Sequence, residues 1–353
     1  MSKVTHACIL LVLAWMNLIL SGCDEDLSVK GPTTSTGVSD DGPNTQVKTR
    51  IAFIPKNAGN AYFDSLSDGI RRATGEVGAD YEMRAPANNS PDSQKSFIQE
   101  EVAKGTKILI IAPNSSTALS NELTTARKNG MVVVTVDSDT IGHEELRDAS
   151  VMPAEPRIIA MTQIELLGSL MKYKGKFAIL SANANAPNQN SWIAAMKEVL
   201  KQPQYSGMEL VDIVYGDDEP AKSESVAADL LQKYPTLDGI LSPTTIGIVA
   251  AAKVVKAQQK AEKVVVTGLG LPNEMRQFVN DGTVHACALW TPNDLGYLAG
   301  MTASRILAGD LKPASGVKVE TKNMGPRTFD AKNTVYLGFT VTFNQGNIHL
   351  YQY

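Results

Sequence analysis

The sequence predicts an α/β fold with two doubly wound, parallel-sheet lobes joined by a hinge. From residue 50 onward, short β-branched runs alternate with longer segments of helical periodicity. This rhythm is typical of βαβ units with helices on both faces of a sheet. The series occurs twice, before and after Pro153, and about three hundred residues are enough for two domains of ordinary size. Two such lobes imply a cleft between them.

The first fifty residues predict export rather than a folded lobe. An apolar stretch at 7–20 follows basic residues and ends in "LSGC", and it is too short for a comfortable membrane span. The small residues before Cys23 are similar to the bacterial lipobox, in which the cysteine is lipidated. We predict a lipoprotein signal peptide at 1–22, lipidation of Cys23 and a disordered tether at 23–47, because 23–47 is polar and almost without large apolar side chains.

The first lobe is predicted at 48–152. Each apolar, β-branched run is read as a strand, and each longer segment with apolar residues three or four apart is read as a helix. In chain order the elements are "RIAFI", a helix at 62–77, "ADYEMR", a helix at 92–103, "KILIIA", a helix at 117–128 and "MVVVTV".

The second lobe is predicted at 153–290 by the same criteria. Its elements are a helix at 155–171, "KFAILSA", a helix at 191–200, "MELVDIVY", a helix at 221–234, "LDGILS", a helix at 245–258, "KVVVTGL", a helix at 273–280 and "VHACALW". A helix at about 294–308 and the runs "TVYLGF" and "VTFN" follow. We expect the chain to cross between lobes there, so that about 291–325 completes the first lobe and about 326–353 the second.

Composition argues against several classes of function. The formal net charge is −4 and no basic block stands out, so the electrostatic footprint of a nucleic-acid binder is missing. The four histidines are isolated in the sequence, which argues against a metal site. Cys8 falls in the signal peptide and Cys23 in the lipobox, which leaves Cys287 as a buried, unpaired thiol in "VHACALW".

Enzyme motifs are not found either. The stretch "GLGLPN" at 268–273 lacks the third glycine of a dinucleotide loop, and neither a P-loop nor a G-x-S-x-G elbow occurs. Asp137 and Asp139 form a carboxylate pair at the predicted cleft edge that suits acid–base chemistry, but two aspartates after a strand equally suit a turn or a cap. We predict no enzyme activity, no cofactor and no metal.

The polar residues that follow the predicted strands form the candidate site. Ligands of open parallel sheets collect beyond the carboxyl ends of the strands. The segments found there are "IPKNAGNAYFD", "VDSDT", "SANANAPNQNSW", "SPTTIG", "GLGLPNE" and "LWTPNDLGY". They are rich in amides and aromatic rings and lack the clustered charge that a phosphate or metal requires.

This inventory suits a neutral polyol, whose hydroxyls pair with amides and carboxylates while aromatic planes cover its C–H face. Structural interpretations stay open as well. Lys56 suits a solvated lysine, one of Tyr62 and Phe63 suits the core, and Trp290 suits packing between the lobes without contact to a ligand. Asn188, Thr244 and Thr245 also suit N-caps. The predicted ligand-binding residues are Lys56, Asn60, Tyr62, Phe63, Asp137, Asp139, Asn188, Gln189, Pro243, Thr244, Thr245, Gly270, Trp290, Asn293 and Asp294.

These motifs, in this order and spacing, resemble the sugar-binding lipoproteins and periplasmic proteins of ABC importers, with the type I, ribose-binding-protein-like fold. Within that group they are most similar to rhamnose-binding proteins and to the receptor of autoinducer-2. Lys56 and Asp137 match positions that hold ligand hydroxyls in the autoinducer receptor. Asn188 stands where that pattern has a carboxylate and Thr245 where it has an alanine, whereas "SPTTIGI" and "LWTPNDLGY" resemble the rhamnose group.

The resemblance implies a monomeric, lipid-anchored receptor on the periplasmic face of the cell membrane. It would capture a monosaccharide, L-rhamnose or a related deoxyhexose, by hinge closure and present the closed form to ABC permease subunits. The alternative ligand is autoinducer-2 or another small polyol. A transcriptional regulator with the same lobes would need an N-terminal helix-turn-helix, and the lipobox occupies that place.

Overall fold

The computed structural model describes residues 48–322 and 324–353. They belong to one compact unit, Val47–Tyr353. The predicted signal peptide, Cys23 and the predicted tether lie outside the described residues. Within the described ranges, no helix is both long and apolar enough to cross a membrane.

Strands and helices alternate through most of the described chain. The strands are β1 Arg50–Ile54, β2 Asp80–Met83, β3 Ile108–Ile111, β4 Val132–Val136, β5 Ala149–Met152, β6 Lys174–Ser181, β7 Gly207–Tyr215, β8 Gly239–Ser242, β9 Val265–Gly268, β10 Ala286–Leu289, β11 Lys318–Val319, β12 Arg327–Thr328, β13 Thr334–Tyr336 and β14 Val341–Asn344. The helices are α1 Ala61–Glu76, α2 Pro91–Ala103, α3 Ser120–Lys128, α4 Pro156–Leu170, α5 Pro187–Val199, α6 Pro220–Lys233, α7 Thr245–Ala257, α8 Pro272–Asn280 and α9 Pro292–Ala308. Many helices begin with proline, whose fixed φ and missing N–H suit the first helical position.

The first lobe is built on a six-stranded sheet with the order β13-β5-β4-β3-β1-β2. Every neighbouring pair in this sheet is parallel. All four residues of β3 are buried, because helices cover both faces of the sheet and leave no face for polar side chains. The doubly wound first lobe predicted from the sequence is confirmed.

The second lobe is built on the parallel strands β7-β6-β8-β9. A parallel bridge between Leu269 and Ala288 adds β10 beside β9, and β14 then pairs with β10 in the antiparallel direction. The last strand therefore departs from the all-parallel arrangement that we predicted. The α/β class and the two wound sheets agree with the prediction.

The chain crosses between the lobes later than we predicted. We assigned about 326–353 to the second lobe, but β13 pairs with β5 in the first sheet, and its Val335 is fully buried. The final crossing therefore lies between β13 and β14. A short apolar run such as β13 suits the free edge of either sheet, so its sequence does not select one. The strand β5 was missed because "ASVM" lacks a β-branched run.

Cys287 lies in β10 and is fully buried, as the sequence predicted. Burial in the apolar core disfavours the thiolate and raises the pKa of the Cys287 thiol to about 12. The side chain therefore acts as a small apolar residue of the second lobe.

Helices α1 and α9 pack with their backbones in close contact. A Cβ atom on Gly69 of α1 would lie 1.9 Å from the carbonyl oxygen of Asn293, and one on Gly296 of α9 would lie 1.9 Å from that of Leu66. Only glycine fits at both positions. This contact joins α9, which follows the second lobe in sequence, to the helix whose first turn reaches the cleft.

We expect Gly69→Ala to destabilise the protein by at least about 2 kcal/mol, because the added methyl group forces the two helix backbones apart. Gly75→Ala on the same helix is the matched control, since no atom lies within 4 Å of its added Cβ. Removing a helix-interior glycine there should raise stability by about 0.5–1 kcal/mol. Urea unfolding of both variants measures the difference, and equal stabilities would show that the helices do not pack this closely.

Candidate ligand-binding site

The carboxyl ends of the two sheets meet at a cavity between the lobes, which is lined by buried residues of both. The space open to the centre of a water molecule is about 40 Å³, which exceeds the roughly 10–15 Å³ that one water requires. Most of the residues predicted from strand ends line this cavity, although their role as ligand contacts stays a prediction. Those that line it are Lys56, Asn60, Tyr62, Phe63, Asp137, Asn188, Gln189, Pro243, Thr244, Thr245 and Trp290.

Asn188 connects the two lobes through hydrogen bonds in the cavity. Lys56 Nζ, after β1, donates to Asn188 Oδ1 at 2.7 Å, and Asn188 Nδ2, in the first turn of α5, donates to Asp137 Oδ2 at 3.0 Å. Lys56 and Asp137 belong to the first lobe, and Lys56 Nζ lies 4.0 Å from Asp137 Oδ2. All three side chains are almost fully buried. The neutral amide thus satisfies a cation and an anion of the opposite lobe at once.

The aromatic side of the cavity is also tied to Asp137. Trp290 Nε1, just after β10, donates to the Tyr62 hydroxyl at 2.8 Å, and that hydroxyl donates to Asp137 Oδ1 at 2.6 Å. The Tyr62 ring meets the rings of Trp290 and Phe63 edge to face. Both Tyr62 and Phe63 belong to the core, as the sequence left open for one of them, and both also line the cavity.

Burial moves the charged groups of the cavity toward their neutral forms. Desolvation lowers the pKa of Lys56, against the attraction of the Asp137 and Asp218 carboxylates. Desolvation also raises the pKa of Asp137 and of Asp218, and the Lys56 ammonium opposes both shifts. Asp137 has φ 65° and Asp218 φ 50°, a left-handed conformation that aspartate tolerates better than most residues. The cavity therefore holds one buried basic group, Lys56, and two buried acidic groups, Asp137 and Asp218.

The alternatives left open by the sequence can now be compared with the structure. Lys56 is only 4% exposed and is not a solvated lysine. Among the residues that line the cavity, Asn60 is the N-cap of α1, since its Oδ1 accepts a hydrogen bond from the Tyr62 N–H at 3.0 Å. Asn188 lies inside the first turn of α5, and Thr244, at the N-cap of α7, makes no side-chain cap bond but donates its hydroxyl to Asp218.

Four predicted residues are not among those that line the cavity. The carboxylate of Asp139 pairs with Arg147 through two bonds of 2.7 Å and accepts from Thr135 Oγ1, because the turn after β4 directs it away from Asp137. Gly270 packs beside Met275 and Cys287. Asn293 and Asp294 lie on the first turn of α9, where the Asn293 carbonyl meets Gly69 and Asp294 lies 3.8 Å from Arg72.

Other residues line the cavity but were not predicted: Trp192, Asp218, Leu269 and Leu289. Asp218 follows β7 in "YGDDEP", so the strand-end rule would have found it. Trp192 lies one helical turn after Asn188, on the same face of α5. Finding it requires a helix that begins at Pro187 rather than at the predicted residue 191.

The sequence profile of the periplasmic binding protein domain matches residues 51–311, which is most of the chain. This protein belongs to the periplasmic binding protein domain family. The family predicted from the strand-end motifs is therefore confirmed.

This periplasmic binding protein is similar to several solved structures and sugar-binding proteins. It is 42% identical to a sugar ABC transporter from Actinomyces odontolyticus, with a TM-score of 0.70 over 86% of this chain and 98% of the other. It is 30% identical to an ABC transporter solute binding protein from Clostridium phytofermentas with bound L-rhamnose, with a TM-score of 0.83 over 86% and 98%. A D-ribose/D-allose-binding protein from Pseudomonas aeruginosa is 25% identical over 75% of this chain and 84% of its own length.

We expect Asp139→Asn to lower the free energy of unfolding by roughly 3–5 kcal/mol, because it leaves the buried guanidinium of Arg147 without its charged partner. Asp310→Asn, at an exposed position after α9, is the matched control and should change stability by less than about 0.5 kcal/mol. Chemical unfolding measures both variants. Equal stability of the two would show that Asp139 is not bound to Arg147 and is available to a ligand.

Proposed function

We propose that this periplasmic binding protein is the receptor of an ABC sugar importer, and that its ligand is a monosaccharide, L-rhamnose or a related deoxyhexose. The observation that carries the proposal is the cavity between the lobes, with aromatic side chains and with polar side chains from both lobes. This lining suits a small polyol, because the polar side chains can pair with its hydroxyls while the aromatic rings face its C–H groups. The similarity to a rhamnose-bound protein at 30% identity supports the choice of sugar.

The mechanism is closure of the lobes around the sugar. Polar groups of the first lobe meet groups of the second only when the lobes are closed: Lys56 meets Asn188, and Thr245 Oγ1 lies 3.5 Å from Asn60 Oδ1. At the rim, Asn89 Nδ2 donates to the Asp217 carbonyl at 2.8 Å. A ligand that contacts both lobes stabilises the closed state over the open one, and the permease then recognises the closed form.

The lining favours a sugar that carries an apolar group. Leu269 and Leu289 extend the apolar wall made by the rings of Tyr62 and Trp290, which suits the C–H face of a pyranose and the methyl group of a deoxyhexose. The carboxyl groups accept hydrogen bonds from hydroxyls, whereas Lys56 donates. Asp139, the proposed partner of Asp137 in an acid–base pair, is held by Arg147 instead, which supports binding rather than catalysis.

The test is a thermal-shift screen with L-rhamnose, D-ribose, D-allose and D-arabinose. At one hundred times its dissociation constant, a ligand adds about 2.7 kcal/mol to the stability of the folded state, so the cognate sugar should raise Tm clearly. Autoinducer-2 is included as the second candidate, because Lys56, Asp137 and Gln189 line the same cavity. Stabilisation by autoinducer-2 alone, or turnover of any sugar, would contradict the proposal.

We expect Asp137→Ala to lower the affinity for L-rhamnose at least tenfold. Loss of a charged acceptor from a desolvated site costs roughly 1.5–3 kcal/mol, and 1.4 kcal/mol corresponds to a factor of ten. Asp310→Ala, which removes an exposed carboxylate outside the cavity, should leave the affinity unchanged. Calorimetric titration compares the two variants, and equal affinities would place the sugar elsewhere.

We propose further that the protein is a monomer held by a lipid on Cys23 at the periplasmic face of the cell membrane, and that it meets ABC permease subunits and no nucleic acid. The motif "LSGC" before a polar tether supports this anchor. In cell fractionation, the wild-type protein should sediment with membranes and Cys23→Ser should not. Equal solubility of the two would contradict the anchor.

A further inference from the structure

Trp192 has an indole N–H that is buried at the cavity without an internal partner. The residue is 2% exposed and lines the cavity. In the described part of the chain, no atom accepts a hydrogen bond from its Nε1. Asn188 and Gln189 precede it by four and three residues on α5, and they line the same cavity, so the three share one helix face.

The neighbouring Trp290, unlike Trp192, has a hydrogen-bond acceptor for its indole N–H. The two indole rings lie 5.8 Å apart with an interplanar angle of 68°, and both residues are buried and line the cavity. The N–H of Trp290 is satisfied by the Tyr62 hydroxyl at 2.8 Å. An indole N–H can only donate, and a buried donor without an acceptor is costly and rare in folded proteins.

The other polar side chains of the cavity direct their acceptor oxygens to groups other than Trp192. The Asp137 oxygens accept from Tyr62 and Asn188, and Asp218 accepts from Thr244. The Gln189 carbonyl oxygen accepts from Ser181 Oγ and the Ala182 N–H. None of these acceptors lies within hydrogen-bonding distance of Trp192 Nε1, so an oxygen of a ligand in the cavity would supply the missing acceptor.

We propose that Trp192 is a specificity-determining residue that donates its indole hydrogen bond to one oxygen of the bound monosaccharide, a hydroxyl or the ring oxygen. This inference rests on the proposed sugar-binding function. Trp192, on α5, would donate a hydrogen bond to a single position of the sugar. Trp290, whose N–H is bonded to Tyr62, would contact the sugar only through its ring.

The test is a cycle of binding measurements with Trp192→Phe and wild type. Each is titrated calorimetrically with L-rhamnose, with its 2-, 3- and 4-deoxy analogues and with the 5-thio analogue, whose ring sulfur is a weak acceptor. The smaller Phe ring weakens packing against every sugar alike, so this loss cancels in the ratio of affinities between L-rhamnose and an analogue. If D-ribose gives the larger thermal shift, its deoxy and thio analogues form the series.

For one analogue, we expect the preference for the parent sugar to fall roughly three- to tenfold in Trp192→Phe, which is the range of a neutral hydrogen bond. Trp290→Phe is the matched control: it weakens the wall but should keep that preference. In ¹⁵N spectra, the sugar should also shift the Trp192 indole proton, a signal identified by its loss in Trp192→Phe.

Ratios that are equal in wild type and Trp192→Phe for every analogue would overturn this inference and leave the proposed function standing. Failure of the wild-type protein to bind any monosaccharide of the screen would instead overturn the proposed function.

Discussion

The contact of Asn188 with Lys56 and Asp137 is the constraint on which the closed cavity depends. A buried ammonium and a buried carboxylate are each costly without hydrogen-bonding partners, and Asn188 from the opposite lobe supplies an acceptor to one and a donor to the other. A carboxylate at this position would accept from Lys56 but could not donate to Asp137. The amide is therefore the side chain that joins the lobes without adding a third acid to the cavity.

The fold holds these three groups in place from independent elements. Lys56 and Asp137 follow two strands of the first sheet, and Asn188 lies on the first turn of a helix of the second lobe. The backbone contact of α1 with α9 sets where Tyr62 enters the cleft, and Tyr62 in turn ties Trp290 to Asp137. Asp137 thus receives hydrogen bonds from both lobes, and a sugar that binds it adds to a network already in place.

Much of this arrangement could be predicted from the sequence, because the carboxyl ends of parallel strands converge on one edge. That rule located Lys56, Asp137 and Trp290. The rule failed for Asp139, because the direction of a side chain after a strand depends on the backbone conformation of single residues. Asp137 has a left-handed backbone, and Asp139 turns to Arg147 instead of the cavity. The rule also failed for Trp192, which depends on where α5 begins, and for β13, whose three residues suit the edge of either sheet.

Burial shifts the pKa of Lys56 downward and those of Asp137 and Asp218 upward, so desolvation disfavours the charged form of each group. A crystal structure of the protein with L-rhamnose tests the central claim most directly. The account predicts one sugar enclosed between the lobes, hydrogen-bonded to Asp137 and in contact with Trp290. A sugar bound outside this cavity, or held by one lobe with the cleft open, would contradict it.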